Sequence, residues 1–257
     1  MKYKLTSNKK EVYGKTLFQI EATVAFGIVA KGELGGWIEK EENLAQDGNA
    51  WVSGDAWVSG DAWVFGNAWV SGNTWVSGDA QVSGDAKVFG NAQVSGDAQV
   101  SGKAWVSGKA WVSGNAQVFS NAWVFGNAWV SGNTWVSGDA QVFGNAKVSG
   151  NAKVSGNAQV FSNAQVSGDA QVFSNAQVSG DAKVFGDAKV FGKLKLLAGY
   201  FFSIRYQKEE IKYVTVDENY ELIYKGEAKF GIKTDDKKSE TLNKIAELKA
   251  KVAELEA

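Results

Sequence analysis

The chain has 257 residues, of which 44% are hydrophobic and 21% charged, placing it among folded rather than disordered proteins. Its 27 basic and 28 acidic side chains leave a formal net charge of -1, so no overall field draws it to nucleic acid or to an anionic membrane, and neither is expected as a partner. Cys, His and Pro are all absent, which removes disulfides, thiolate nucleophiles, Cys-ligated zinc, the commonest general base and the commonest transition-metal ligand.

The first segment, residues 1–50, reads as an N-terminal β cap with a degenerate first coil. "KYKL" and "KTLFQIEATVAF" have strand character, and Ile38, Leu44 and Ala50 lie on the spacing of the inward Ala positions that follow. The opening "MKYKLTSNKKEVYGKTLFQI" contains no apolar stretch of signal-peptide length, and no later stretch approaches 18 apolar residues. A cytoplasmic location is expected, with a virion component as the alternative.

The second segment, residues 51–192, is a repeat. From Val52 to Val190 every sixth residue is Val, 24 times over, in a unit Ala-x-Val-(Ser/Phe)-Gly-(Asp/Asn). In an extended chain Ala and Val point to one side and x to the other, and the three remaining positions are turn formers. Each hexad is therefore one short strand plus one corner, with Ala and Val inside. A unit this small buries nothing alone, so successive units must wind into stacked coils around a narrow core. Three hexads per turn give an 18-residue coil, eight coils and a stack roughly 40 Å long at ~4.8 Å per coil; periodicity alone leaves a 12-residue coil open.

The units "VSGDAW" and "VFGNAK" resemble the hexapeptide repeat of left-handed parallel β-helix proteins, and "LGGW" at Leu34 to Trp37 followed by "GNAWVSG" hexads resembles a group of uncharacterised bacterial and phage hexapeptide-repeat proteins. The resemblance implies an all-β, three-sided, left-handed parallel β-helix. Many enzymes with this repeat transfer acyl groups from coenzyme A thioesters, but those that work by acid–base catalysis rely on a His, which this chain lacks, and the hexads run without an inserted loop. A phage-encoded factor that binds a host protein is a further reading carried by resemblance alone.

The block Ala62 to Val82 recurs letter for letter at Ala122 to Val142, an offset of ten hexads, which places the copy one face round from its parent in a three-sided coil. Three units carry Ser in place of Gly, at Ser120, Ser162 and Ser174. The reading here is that this corner position does not need positive φ and that Asn121, Asn163 and Asn175 are the left-handed residues. Asp61, Asp79 and Asp97 stack along one corner as a candidate cation row or, on the blander reading, as solvated carboxylates. Asn127, Asn145 and Asn163 should link coils through amide hydrogen bonds, and Thr74 and Thr134, in the Ala column, should point inward.

The outward x position is Trp at Trp51, Trp57, Trp63, Trp69, Trp75, Trp105, Trp111, Trp123, Trp129 and Trp135, and beyond Val136 it is Gln or Lys. Trp51 should stack over Trp69, Trp57 over Trp75, Trp105 over Trp123 and Trp111 over Trp129. Two readings stay open: cross-strand indole pairs that stabilise the sheet, or a contact surface for a sugar polymer, another copy or a host protein.

Residues 193–234 read as a C-terminal β-rich cap and 235–257 as a short amphipathic helix with Ser239 as N-cap. Ile245, Leu248, Val252 and Leu255 form an a/d stripe for packing or self-association, a trimer suiting a three-sided coil. The expected function is a non-catalytic structural or binding solenoid, self-associating through its ends or C-terminal helix, with no cofactor and no metal.

Overall fold

The computed structural model describes residues 1–202 and the strands Val214–Val216 and Leu222–Tyr224, which pair antiparallel. The C-terminal helix and Ile245, Leu248, Val252 and Leu255 lie outside the described residues, as does most of 203–234. Among the described residues the fold is all β, and the only helical element is the single 3-10 turn Glu41–Asn43.

From Trp51 the chain makes one short strand per hexad, of two residues except for the three of Lys183–Phe185, and these distribute over three parallel sheets of the solenoid. Each strand pairs with the strand three hexads further on: Trp51 with Trp69, Trp57 with Trp75, Trp63 with Gln81. Three hexads therefore complete a coil, which settles the choice against the flatter coil of two hexads. The first face carries Trp37, Trp57 and Trp75, the second Trp63 and Gln81, and the third Trp51 and Trp69. Nine strands stack on the third face, one more than the repeat alone supplies, because Lys195–Leu196 pairs in register with Gln177–Val178; likewise Tyr200–Phe202 extends the first face.

Coil holds to coil through backbone hydrogen bonds repeated at each level. In one hexad Asn67 N–H donates to Gly84 C=O at 2.8 Å, Trp69 N–H to Ala86 C=O at 2.9 Å and Ser71 N–H to Val88 C=O at 2.9 Å. Inside, the Ala and Val columns are buried along the repeat, and Thr74 and Thr134 are buried with them.

The corners require left-handed backbone. Gly84 has φ of 66°, and a Cβ there would lie 2.9 Å from both the N and the O of Gly102 in the next coil. Ser120, Ser162 and Ser174 have φ of 62°, 59° and 61°. This corrects the expectation that Asn121, Asn163 and Asn175 take the left-handed conformation: the corner is set by the coil-to-coil ladder, so whatever residue follows Ser/Phe must adopt it, Gly or not.

The N-terminal cap consists of β1 (Tyr3–Val12), β2 (Lys15–Ala22) and β3 (Leu34–Ile38); β1 and β2 form an antiparallel hairpin, and β3 bridges β2 to the first face. It covers the open edge that a parallel stack would otherwise present. Here the pairing offset is longer than three hexads: Ile38 sits beside Val58 and Leu44 beside Val64. Ile38 and Leu44 thus belong to the Val column rather than the Ala column, a correction that follows from two extra residues between Leu44 and Val52. Both still face the core. The "LGGW" stretch has a steric cause. A Cβ on Gly35 would lie 2.6 Å from Val52 C=O and 2.6 Å from the Trp51 ring, and one on Gly36 would lie 2.5 Å from Ala56 C=O. Asn43 completes the seam, its Nδ2 donating to Gly60 C=O at 3.0 Å and Ala62 C=O at 2.8 Å.

Gly35→Ala is expected to destabilise the protein by about 2–3 kcal/mol through backbone overpacking, read from urea unfolding. Ser120→Gly, Ser162→Gly and Ser174→Gly should each stabilise by about 0.5–1 kcal/mol, the left-handed penalty relieved less the added unfolded-state entropy of Gly; a fall in unfolding midpoint in the triple variant counts against this corner geometry.

Candidate functional site

With Ala and Val committed to the interior, the x side chain of each strand stands on the outer surface, and the three-hexad coil sets like residues above one another. The indole pairs form as expected on two faces. Trp57 and Trp75 stack with centroids 4.4 Å apart, Trp105 and Trp123 at 5.0 Å with 4° between planes, and Trp111 and Trp129 at 5.0 Å with 8°. Trp51 and Trp69 are register partners, but the ring of Trp51 packs on Tyr3 and Phe26 and does not stack on Trp69.

Trp51 is a correction. It is fully buried, held edge-on between Tyr3 at 6.5 Å and Phe26 at 5.4 Å, because the cap closes over the third face at the first coil. Neighbouring indoles are also engaged by the cap. The tip of the β1–β2 hairpin lays Tyr13 on Trp75 at 5.1 Å and beside Trp57 at 6.0 Å, while Lys10 Nζ lies 4.5 Å from the ring of Trp37. The indole N–H groups of Trp51 and Trp75 are buried without a hydrogen-bond partner. Burial without a polar partner marks these rings as packing elements rather than recognition elements. Trp69 is half-buried and packs against the core, and Trp63 is exposed but stacked on Phe65 at 4.1 Å.

The second group of indoles has no such cover. Trp111, Trp123, Trp129 and Trp135 remain 40–43% exposed, and Trp105 is half-buried against Trp123. Together they encircle the solenoid over two coils, five of the six x positions there being Trp. Lysines close the ends of the columns: Lys87 lies 5.1 Å from Trp105, Lys147 5.7 Å from Trp129 and Lys153 4.8 Å from Trp135.

One aromatic feature escaped the x-column reading. Phe occupies the Ser/Phe position at 89, 125, 143 and 161, all on the corner that follows the third face, and Phe125, Phe143 and Phe161 stack at 4.8 and 4.9 Å. Phe89 meets Trp105 edge-on at 5.9 Å and Trp123 meets Phe125 at 6.5 Å, so six rings connect without a break. Tabulating the Ser/Phe position coil by coil rather than hexad by hexad would have exposed it.

The corners carry amide ladders. Asn127 Nδ2 donates to Asn145 Oδ1 at 3.0 Å, Asn145 to Asn163 at 3.1 Å and Asn163 to Asp181 at 3.1 Å, a chain that ends on a carboxylate because Asp only accepts. Asp61 of the candidate cation row pairs instead with Lys40 at 2.6 Å, and among the described residues no group of three or more carboxylates is placed to hold a metal. An open recess at the N-terminal end is lined by Lys2, Phe26 and Asp47, and Lys2 Nζ there donates to Asp47 C=O at 3.1 Å and Ala50 C=O at 2.9 Å. No helix among the described residues is long and apolar enough to cross a membrane.

A family model described as the YdcK beta solenoid repeat matches residues 80–96 and 92–108, within the central hexads. No curated protein matches the chain. The similarity agrees with the solenoid architecture and reaches the half-buried Trp105 but none of the exposed indoles.

The cap over Trp51 should respond to alkaline pH in two directions. Burial pulls the Lys2 ammonium down to about 8 against the attraction of Asp47, so between pH 8 and its ordinary 10.5 the unfolded chain holds more protons and cap stability rises with pH. Burial, reinforced by Glu41 and Glu42, pushes the Tyr3 phenol well above its ordinary 10.0; its hydroxyl sits 2.7 Å from the C=O groups of both Glu41 and Leu44. Above pH 10 the unfolded phenol ionises first and stability falls. Hydrogen exchange of the Trp51 indole N–H is expected to be slowest near pH 10 after correction for the intrinsic rate, and Tyr3→Phe should remove the loss above it.

Proposed function

We propose that this protein is a non-catalytic binding solenoid that acts through its uncovered aromatic belt, Trp105, Trp111, Trp123, Trp129 and Trp135. The observation that carries the reading is the difference in cover between the two tryptophan groups. In the first, Tyr3 and Phe26 cover Trp51, Tyr13 covers Trp57 and Trp75, and Trp63 alone is exposed; the second group repeats three of the same units without cover and keeps four rings about two-fifths exposed. Exposed apolar area of that kind on a folded protein marks contact with a partner.

The ladder geometry favours a protein over a sugar polymer. A pyranose recognised by an aromatic platform needs a free ring face, whereas indole faces indole in the Trp105–Trp123 and Trp111–Trp129 pairs, lysine lies over Trp105, Trp129 and Trp135, and the remaining faces of Trp111, Trp123 and Trp135 look along their columns toward Gln93, Gln141 and Gln117. What the belt offers is indole flanked by lysine and glutamine, a combination suited to side chains from a protein surface. Each repeat position otherwise has a packing, turning or ladder role, which supports contact rather than turnover.

The chain itself supplies a mild substitution, since Gln occupies the same columns at Gln93, Gln117 and Gln141. A variant with Gln at all five belt positions is expected to keep its far-ultraviolet circular dichroism, losing roughly 1–3 kcal/mol from its two stacked pairs, at roughly 0.5–1.5 kcal/mol each, besides the apolar area that the indoles bury. It should also lose the proteins retained from lysate by the immobilised wild-type chain. Equal retention by both, or collapse of the fold in the variant, sinks the reading.

A further inference from the structure

We infer that the six-ring seam Phe89, Trp105, Trp123, Phe125, Phe143 and Phe161 is a docking surface for a second copy of this chain, placed antiparallel across the third face. The inference rests on the reading of the protein as a contact solenoid and names one occupant of its surface. The seam spans five coils along the solenoid, and its rings repeat with the coil spacing, so a partner that matches it along its length must have the same spacing. A second solenoid of this chain has it by construction.

Two arrangements bring the third face onto itself by a two-fold axis in the interface, and the corner charges separate them. With the axis along the solenoid, coils of equal height meet and opposite corners face each other, setting Lys103 against Lys109 of the second copy at the same level. With the axis across the solenoid at the Trp123 coil, the copies run antiparallel and like corners meet at mirrored heights. The coil of Trp105 then faces the coil of Gln141, and Lys103 faces Asp139 of the second copy, twice by symmetry. Opposite charge favours the antiparallel form and like charge opposes the other.

The same operation fits the rings. Phe125 meets its own counterpart, Phe89 meets Phe161, and Phe143 lies over Ser107, the small residue between Phe89 and Phe125 in their column. A bulky side chain over a gap is the complementarity that a self-docking surface needs. The Phe column thus supplies both ridge and hollow.

Sedimentation equilibrium of the full chain is the test, with thermal unfolding of every variant as the folding control. The wild type is expected to form a dimer or an even-numbered assembly. Trp123→Gln and Phe143→Ser should each weaken it by about tenfold. Lys103→Asp and Asp139→Lys should each weaken it by about threefold or more, and the double exchange should restore it. A wild type that stays monomeric at 100-fold the concentrations used for lysate capture overturns the inference while leaving the contact reading to its own test. Association that is insensitive to these four substitutions but abolished by Leu248→Lys runs through the C-terminal segment and overturns it too. So does failure of the double exchange to restore what the single exchanges lose.

Discussion

Everything in this solenoid follows from one constraint: the backbone of each coil must hydrogen-bond to the backbone three hexads further on, at the spacing of neighbouring β strands. That spacing leaves little room for a Cβ at the corner, as the approach of Gly84 to Gly102 shows, so Gly fills it throughout the repeat except at Ser120, Ser162 and Ser174, and it forces left-handed φ on the corner residue. It also sets a narrow interior that Ala and Val fill along the repeat, with larger Ile38, Leu44, Leu194 and Leu196 only toward its ends. The ladder therefore selects the composition of the repeat rather than the repeat selecting the ladder.

Stacking at a fixed interval turns each residue choice into a column property. An Asn beside an Asn becomes an amide chain, and an Asp at its C-terminal end closes it because a carboxylate has no hydrogen to pass on. An indole beside an indole becomes a parallel pair, and a Lys one coil away becomes a cation over its face. Single substitutions in such a lattice act on both neighbours at once, so chemistry at the surface is one-dimensional, read along a column. The aromatic seam on the third face is the longest such run among the described residues, and it crosses from the x column to the Ser/Phe column where Trp123 meets Phe125.

Internal duplication has placed the same residues in different settings. Because the copied block is displaced by ten hexads, Trp63, Trp69 and Trp75 on the second, third and first faces correspond to Trp123, Trp129 and Trp135 on the third, first and second. Trp75 lies under Tyr13 of the hairpin, but Trp135, its copy, has Phe119 edge-on and Lys153 over its face and stays exposed. Identical sequence, then, supports packing at Trp75, where the hairpin reaches, and leaves surface at Trp135, whereas Trp63 and its copy Trp123, both beyond the hairpin, are exposed alike.

The sequence by itself determined the hexad, the inward Ala and Val, the outward x position, the inward Thr74 and Thr134 and the choice of partners for the indole ladders once three hexads make a turn. These are local consequences of period two within a strand and period six along the chain, and only at Trp51, beneath the cap, does a distant contact alter them. Only the tertiary structure decided that Trp51 is buried beneath the cap, that Ile38 and Leu44 join the Val column, that Ser120, Ser162 and Ser174 accept left-handed backbone, and that Phe89 and Phe125 join the indoles of the third face. Each of these depends on what lies one coil away or beneath the cap: the covering of Trp51 by Tyr3 and Phe26, the two-residue insertion after Leu44, and the corner geometry demanded by the ladder. Short-range pattern carries the first set because it repeats; the second is set by through-space neighbours that lie far apart along the chain, where no periodicity reaches.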